Sequence, residues 1–179
     1  NKTILSGDLQ GNDNANIART EPTRSENSLI VVTVLNKATE IVLDGLTITS
    51  GNGEGGAVAP NMTASAGVKV VVSKLTIRNC TIEKNTGAKG AGLYDTNTGS
   101  TLLIENTVIQ NNVSHGAGAM HIASSYVLES CVFYNNQSKD SPYGYQWGGG
   151  LFMTGAGTIN NCVFANNSAV EDGGGMVAD

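Results

Sequence analysis

Three features of this 179-residue sequence predict an all-β solenoid. First, a glycine-rich element running into apolar residues recurs as Gly90-Ala91-Gly92-Leu93-Tyr94, Gly116-Ala117-Gly118-Ala119-Met120, Gly148-Gly149-Gly150-Leu151-Phe152 and Gly173-Gly174-Gly175-Met176-Val177. Second, before each copy stands an apolar residue, two variable positions and Asn: Ile82 to Asn85, Ile109 to Asn112, Phe133 to Asn136 and Phe164 to Asn167. Third, the last glycine of each aligned triplet falls at 92, 118, 150 and 175, and the asparagines at 85, 112, 136 and 167. Intervals in the twenties, with one inflated step, mark stacked coils with a lateral insertion. No stretch carries a helical apolar stripe, which removes leucine-rich and helical repeats. The expected architecture is a right-handed, single-stranded parallel β-helix with three short strands per coil and roughly five to seven coils. Its handedness follows the rule for parallel crossovers.

Each element has a physical reason. Leu75, Ile77, Cys80 and Ile82 alternate with Thr76, Arg78, Thr81 and Glu83, the period of a strand, and the alternation breaks once at Asn79, where the chain turns a corner. Stacked strands lie about 4.8 Å apart, so equivalent residues of successive coils sit on one another. Ile82, Ile109, Phe133 and Phe164 are expected to form one internal column, and Cys80, Thr107, Cys131 and Cys162 another. A stacked inward Asn can hydrogen-bond the backbone and the next Asn as a ladder. Glycine lets the chain turn tightly against the core.

In chain order, Thr3 to Asp8 reads as a strand and the polar stretch to residue 28 as a long surface loop. Asp8, Asn12, Asp13 and Asn14 are oxygen donors of the kind calcium takes, but the EF-hand pattern is absent, and an ordinary Asx-rich turn is the expectation, with no cofactor. Leu29 to Val34 is a strand. Ile41 to Ile48 is the next, cornered at Asp44-Gly45, with Leu46 and Ile48 in the slots later held by Cys80 and Ile82. Glu54 to Val58 reads as a looser glycine copy.

The chain reads as one β-helix domain over residues 1–179, expected to be a fragment of a longer protein. Its composition, with 23 Gly, 3 Pro and 14% charged residues, suits short strands and many turns. A net charge of -5 argues against nucleic acid, which needs a basic face. No long apolar run provides a membrane-spanning helix, so this segment is expected not to insert in a membrane. The three cysteines are expected to be free thiols filling small slots, because a stacked pair has the wrong vectors for a bridge.

The paired elements resemble the repeats of polymorphic outer-membrane proteins and, more widely, right-handed parallel β-helix proteins of the pectate-lyase-like superfamily. The residues that carry the resemblance are Gly149 to Phe152, Gly174 to Val177, Phe133 to Asn136 and Phe164 to Asn167, with Asp44 to Ile48 also of pectate-lyase-like form. It implies a bacterial protein exported to the cell surface or beyond, and brings no catalytic residue.

Two functional readings follow. The first is a non-catalytic surface or secreted module, adhesin-like or a spacer, that binds a polysaccharide, host glycan or host protein. The alternative is a segment of a polysaccharide lyase or glycoside hydrolase. Thirteen residues separate Asn136 from Gly150, where the other copies have five to seven, and this insertion holds Tyr143, Tyr145 and Trp147. Aromatic rings suit the apolar faces of sugars, and loops carry function where the coil is committed to stacking. These three residues and Tyr134 are the candidate ligand-binding set. The catalytic candidates are weak: Asp95 after Tyr94 and His121 after Met120 would face outward one coil apart, but no second carboxylate joins them. Arg78, Glu105, Glu129 and Asn160 form another outward set, expected to be a solvated column with an Arg78–Glu105 ion pair. A purely structural stalk is the third reading.

Overall fold

A computed structural model describes residues 2–18, 20–35, 39–53, 66–71, 74–95, 97–139 and 147–179. Every pairing between strands is parallel, and successive partners come from successive coils. The first face stacks Ile41–Asp44, Lys74–Arg78, Thr101–Glu105, Ser125–Glu129 and Gly157–Asn160. The second stacks Thr3–Ser6, Leu46–Thr49, Thr81–Glu83, Val108–Gln110, Val132–Tyr134 and Val163–Ala165. The third stacks Val32–Val34, Val68–Val70, Leu93–Asp95, Met120–Ile122, Leu151–Met153 and Met176–Ala178. Between the second and third faces runs a narrow strip of two-residue strands: Thr86–Gly87, Val113–Ser114, Gln137–Ser138 and Ser168–Ala169. The four turns from Lys74 onward carry a strand on every face and on the strip, and the earlier segments form looser turns below them.

Two left-handed corners per coil produce this path. The first, between faces one and two, is Gly45, Asn79, Asn106, Ser130 and Asn161, all at positive φ. The second, at the end of face two, is Ser50, Lys84, Asn111, Asn135 and Asn166. Asn tolerates this conformation better than other side-chain-bearing residues, which explains its frequency at both corners.

The interior is a set of columns. Ile48, Ile82, Ile109 and Phe133 are sealed from solvent and Phe164 follows them, with the two phenyl rings stacked at 4.5 Å. Sealing a side chain of that size contributes about 2–3 kcal/mol. In the neighbouring column the Cys80 N–H donates to Thr107 Oγ1 at 3.4 Å, and the Cys131 N–H to Cys162 Sγ at 3.4 Å. The cysteines are free, and burial pushes the Cys131 thiol up to about 11, so it stays protonated.

Beside the second corner runs the asparagine ladder. Asn136 Nδ2 donates to Ile109 O at 2.9 Å and to Asn167 Oδ1 at 2.9 Å. Its own Oδ1 accepts from the backbone N–H and the Nδ2 of Asn112 at 3.0 and 3.1 Å. Asn112 repeats these bonds with Ile82 O and with Asn85. In the coil below, Gly51 takes the slot and its N–H donates to Asn85 Oδ1 at 2.9 Å. The ladder is thus both a side-chain stack and a lid on backbone groups that the corner would otherwise orphan.

The polar stretch before residue 28 folds onto this edge instead of standing clear of it. Arg24, 1% exposed, donates to Asp13 Oδ2 at 2.9 Å, to Lys84 O at 2.8 Å and to Gly51 O at 3.2 Å. Asn27 Nδ2 donates to Ser50 O at 2.8 Å, and Thr86 Oγ1 to Ile17 O at 2.8 Å. The Asp8 carboxylate is engaged by the backbone N–H groups of Gln10, Gly11, Asn12 and Asp13, an Asx-type turn.

The structure departs from the sequence expectations on which glycine fills one slot and on which carboxylate Arg78 meets. The glycine-strand slot below Gly92 belongs to Gly67, whose N–H donates to Ala91 O while the Val68 N–H donates to Gly92 O. A Cβ on Gly67 would lie 2.4 Å from that carbonyl oxygen, so the close approach itself demands glycine. The looser copy at 54–58 lies outside the described residues. On the first face, Arg78 pairs with Asp44 of the preceding coil at 2.9 Å and not with Glu105. The Asn79 amide donates to the same carboxylate at 2.8 Å, which makes the Asp44 side the better-supported partner.

Candidate functional site

On the third face, alternation decides what points out. Leu93, Met120 and Leu151 are paired neighbours and fully buried; the next residues, Tyr94, His121 and Phe152, form the outward column. Three rings therefore sit one above another. The His121 imidazole meets Tyr94 edge-on at 5.2 Å between centroids and Phe152 edge-on at 4.9 Å. Trp147 closes the row from the lateral insertion, with its ring 5.3 Å from that of Phe152. The indole is held near the coil by its backbone, whose carbonyl accepts from the Gly118 N–H at 3.0 Å.

Lys89, Ala117, His121, Trp147 and Phe152 line a shallow, mostly apolar pocket of about 300 Å³. That is the lower end of the size of small-ligand sites. His121 is only 8% exposed, and its Nδ1 is buried with no hydrogen-bond partner. Burial first, and the nearby Lys89 charge second, lower its pKa to about 4, so the imidazole is neutral at physiological pH. The site thus brings together the Trp147 ring, the largely buried Phe152 ring at 5% exposure, a neutral polar ring between aromatic walls and a cationic side chain at the rim. Such a set can stack an apolar ring face and hydrogen-bond a polar substituent.

Of the candidate binding residues, Trp147 falls in this pocket. Tyr134 is 42% exposed but belongs to the second face, in register with Gln110 and Ala165, and does not join it. Tyr143 and Tyr145 lie outside the described residues. Sequence reasoning missed Tyr94 and Phe152 as outward-facing residues because it treated them as part of an apolar run. The alternation starting from Leu93 and Leu151 was the signal that places both outward.

The structure separates Asp95 from His121. Asp95 is paired with Ile122, not His121, and is completely buried on the inner side of its strand. Its Oδ1 accepts from the Asn97 N–H at 3.1 Å, and its Oδ2 has no partner. The cause is a slip of one residue. The positive-φ glycine stands three residues before the inward residue at Gly90 and Leu93, Gly148 and Leu151, and Gly173 and Met176, but only two before it at Gly118 and Met120. A shift of one in a strand exchanges its faces. Asp95 and His121 therefore point to opposite sides of the layer and cannot exchange a proton as an acid–base pair. The outward set Arg78, Glu105, Glu129 and Asn160 does align as expected, with Glu129 accepting from Asn161 Nδ2 at 2.7 Å. Among the described residues no three His, Cys, Asp or Glu side chains gather as a metal site would require, and no helix is long and apolar enough to cross a membrane.

This combination of stacked parallel strands and left-handed corner residues defines a parallel β-solenoid. The family model described as the right-handed β-helix region matches residues 9–178, and the chain belongs to that family. Its winding is accordingly right-handed, consistent with the pectate-lyase-like superfamily that the sequence resembles. No curated protein and no solved structure matches the chain.

Proposed function

We infer that this β-helix is a non-catalytic, exported carbohydrate-binding module, adhesin-like in its use of a rigid coil to present a binding face at a cell surface or beyond. The observation that carries this reading is the convergence of Trp147, Phe152 and His121 on one pocket. Aromatic rings at such a site take up the apolar face of a sugar at low entropic cost. The opposed placement of Asp95 and His121 favours binding over acid–base chemistry. A two-carboxylate glycosidase also needs two acids at a set separation, and this pocket has none among its described lining residues.

The reading is tested by presenting neutral and acidic polysaccharides, with and without calcium, to the protein. It predicts retention of at least one polysaccharide by the wild-type protein and loss of that retention in Trp147→Ala. New reducing ends or unsaturated products above a heat-killed control would instead establish the lyase or hydrolase alternative. Retention unaffected by Trp147→Ala would place the binding elsewhere on the coil.

A further inference from the structure

We propose that His121 determines which sugar the pocket accepts, by presenting a fixed Nε2–H donor that requires an acceptor oxygen on the ligand. This deepens the carbohydrate-binding reading and rests on it. The argument is one of tautomers. Nδ1 is sealed from solvent and has no partner. His121 nonetheless lines the pocket, so Nε2 is the ring nitrogen that a ligand can meet. A neutral imidazole carries one proton, on either nitrogen. Placing it on Nδ1 would bury an N–H with no acceptor, and orphaned N–H groups are rarer than under-used acceptors. The proton therefore resides on Nε2, and the buried Nδ1 keeps only a lone pair.

A half-turn of the ring about Cβ–Cγ would put Cε1 where Nε2 now stands and take the donor away from the pocket, so the role proposed for His121 requires the ring to keep the orientation seen here. Tyr94 and Phe152 both stand edge-on to it, with interplanar angles of 90° and 86°, and these contacts hold the plane of the ring against partial rotation. The donor is thus pre-organised beside the Phe152 and Trp147 rings. A sugar that enters the pocket against Trp147 must direct a hydroxyl or ring oxygen at Nε2. A sugar carrying an ammonium group there has only donors to offer and is excluded, because it leaves two N–H groups opposed.

Two measurements test this. The first needs no ligand: long-range nitrogen NMR of the labelled protein at neutral pH is expected to show His121 wholly in the Nε2–H form. The Nδ1–H form, or a mixture, would overturn the proposal whatever the protein binds. The second is titration calorimetry with neutral and uronic hexasaccharides, and with monodeoxy and amino-substituted versions of the tightest binder. Trp147→Ala is expected to remove binding. His121→Phe, which keeps an aromatic ring in the column, is expected to weaken it roughly fivefold to tenfold. The same variant should no longer distinguish the parent hexasaccharide from the one deoxy analogue that the wild-type protein rejects. If His121→Phe binds and discriminates as the wild type does while Trp147→Ala fails, the carbohydrate reading survives and the role of His121 falls. If the wild-type protein binds none of the hexasaccharides, both fall. An unfolding midpoint for His121→Phe at or above that of the wild type verifies that the coil is intact.

Discussion

The asparagine corner and the outward row of the third face are both columns with one residue per coil, yet they are filled differently. In the corner, Asn85, Asn112 and Asn136 are fully buried, and each amide satisfies the next one and a backbone carbonyl. From Asn85 upward each coil supplies the same residue, since a gap within the ladder orphans groups above and below, and the column ends on the Gly51 N–H. In the row, Lys69, Tyr94, His121, Phe152 and Val177 succeed one another with no such closed bonding. Strand pairing there constrains only the backbone, so the side chains are free to differ. A column that closes its own hydrogen bonds builds the coil, and a column that leaves a polar atom open is available for recognition.

The largest effect that would break this comparison is at the ladder. Asn136→Ala removes two donated bonds and leaves the Asn112 N–H and Nδ2 without their acceptor, so it is expected to cost about 4 kcal/mol. Urea unfolding measures it; a loss of a few tenths would mean that the ladder is decorative.

His121 gives the next effect, on the order of 3 kcal/mol at most. Its pKa is lowered from 6.5 to about 4 in the folded chain, so the unfolded chain binds the extra proton first. The stability contributed by the neutral ring is complete above pH 6.5 and is lost as pH falls toward 4. Subtracting the acid profile of His121→Phe isolates this loss from that of the carboxylates. Identical profiles would show that the ring is hydrated, and its pocket more open than its burial indicates.

Gly148→Ala should cost about 2 kcal/mol, since a left-handed backbone at φ +58 is strained for alanine. Its Cβ would also stand 2.2 Å from Leu151 O. The variant should lower the unfolding midpoint and, by displacing the strand that carries Phe152, weaken any ligand held in the pocket. The smallest effect is at the exposed neighbour of the ladder. Asn135 holds φ 51 and donates one bond, to Asn111 Oδ1 at 2.6 Å, so Asn135→Ala is expected to cost about 1 kcal/mol. Equal losses for Asn135→Ala and Asn136→Ala would put the buried residue of the corner in the wrong position.

Much of the coil was legible in the sequence because it rests on local, repeated signals. Ile82, Ile109 and Phe133 stack where the apolar spacing placed them, and the asparagines that follow them form the ladder. Cys80, Thr107 and Cys131 share a buried column because each is small and each follows a left-handed corner. The fourth, two-residue strip was not legible, since Thr86–Gly87 and Gln137–Ser138 share no side-chain pattern and are strands only through backbone pairing. The candidate site was half visible. Trp147 stood out by composition, but its partners depended on which side of a strand faced outward.

By itself the sequence determined the repeat, the strand period, the corners and the inward columns, because each follows from residues of similar size or conformational preference recurring in successive coils. Tertiary structure alone decided the register of the coil through Met120. Counting from glycines puts Met120 level with Tyr94, but the core accepts Met120 in the slot of Leu93 and Leu151, with no exposure at all. That one-residue shift turns His121 outward between two aromatic rings, while Asp95 points into the coil. The free energy of filling an inward slot, summed over the stacked layers, outweighs the spacing of glycines in a turn.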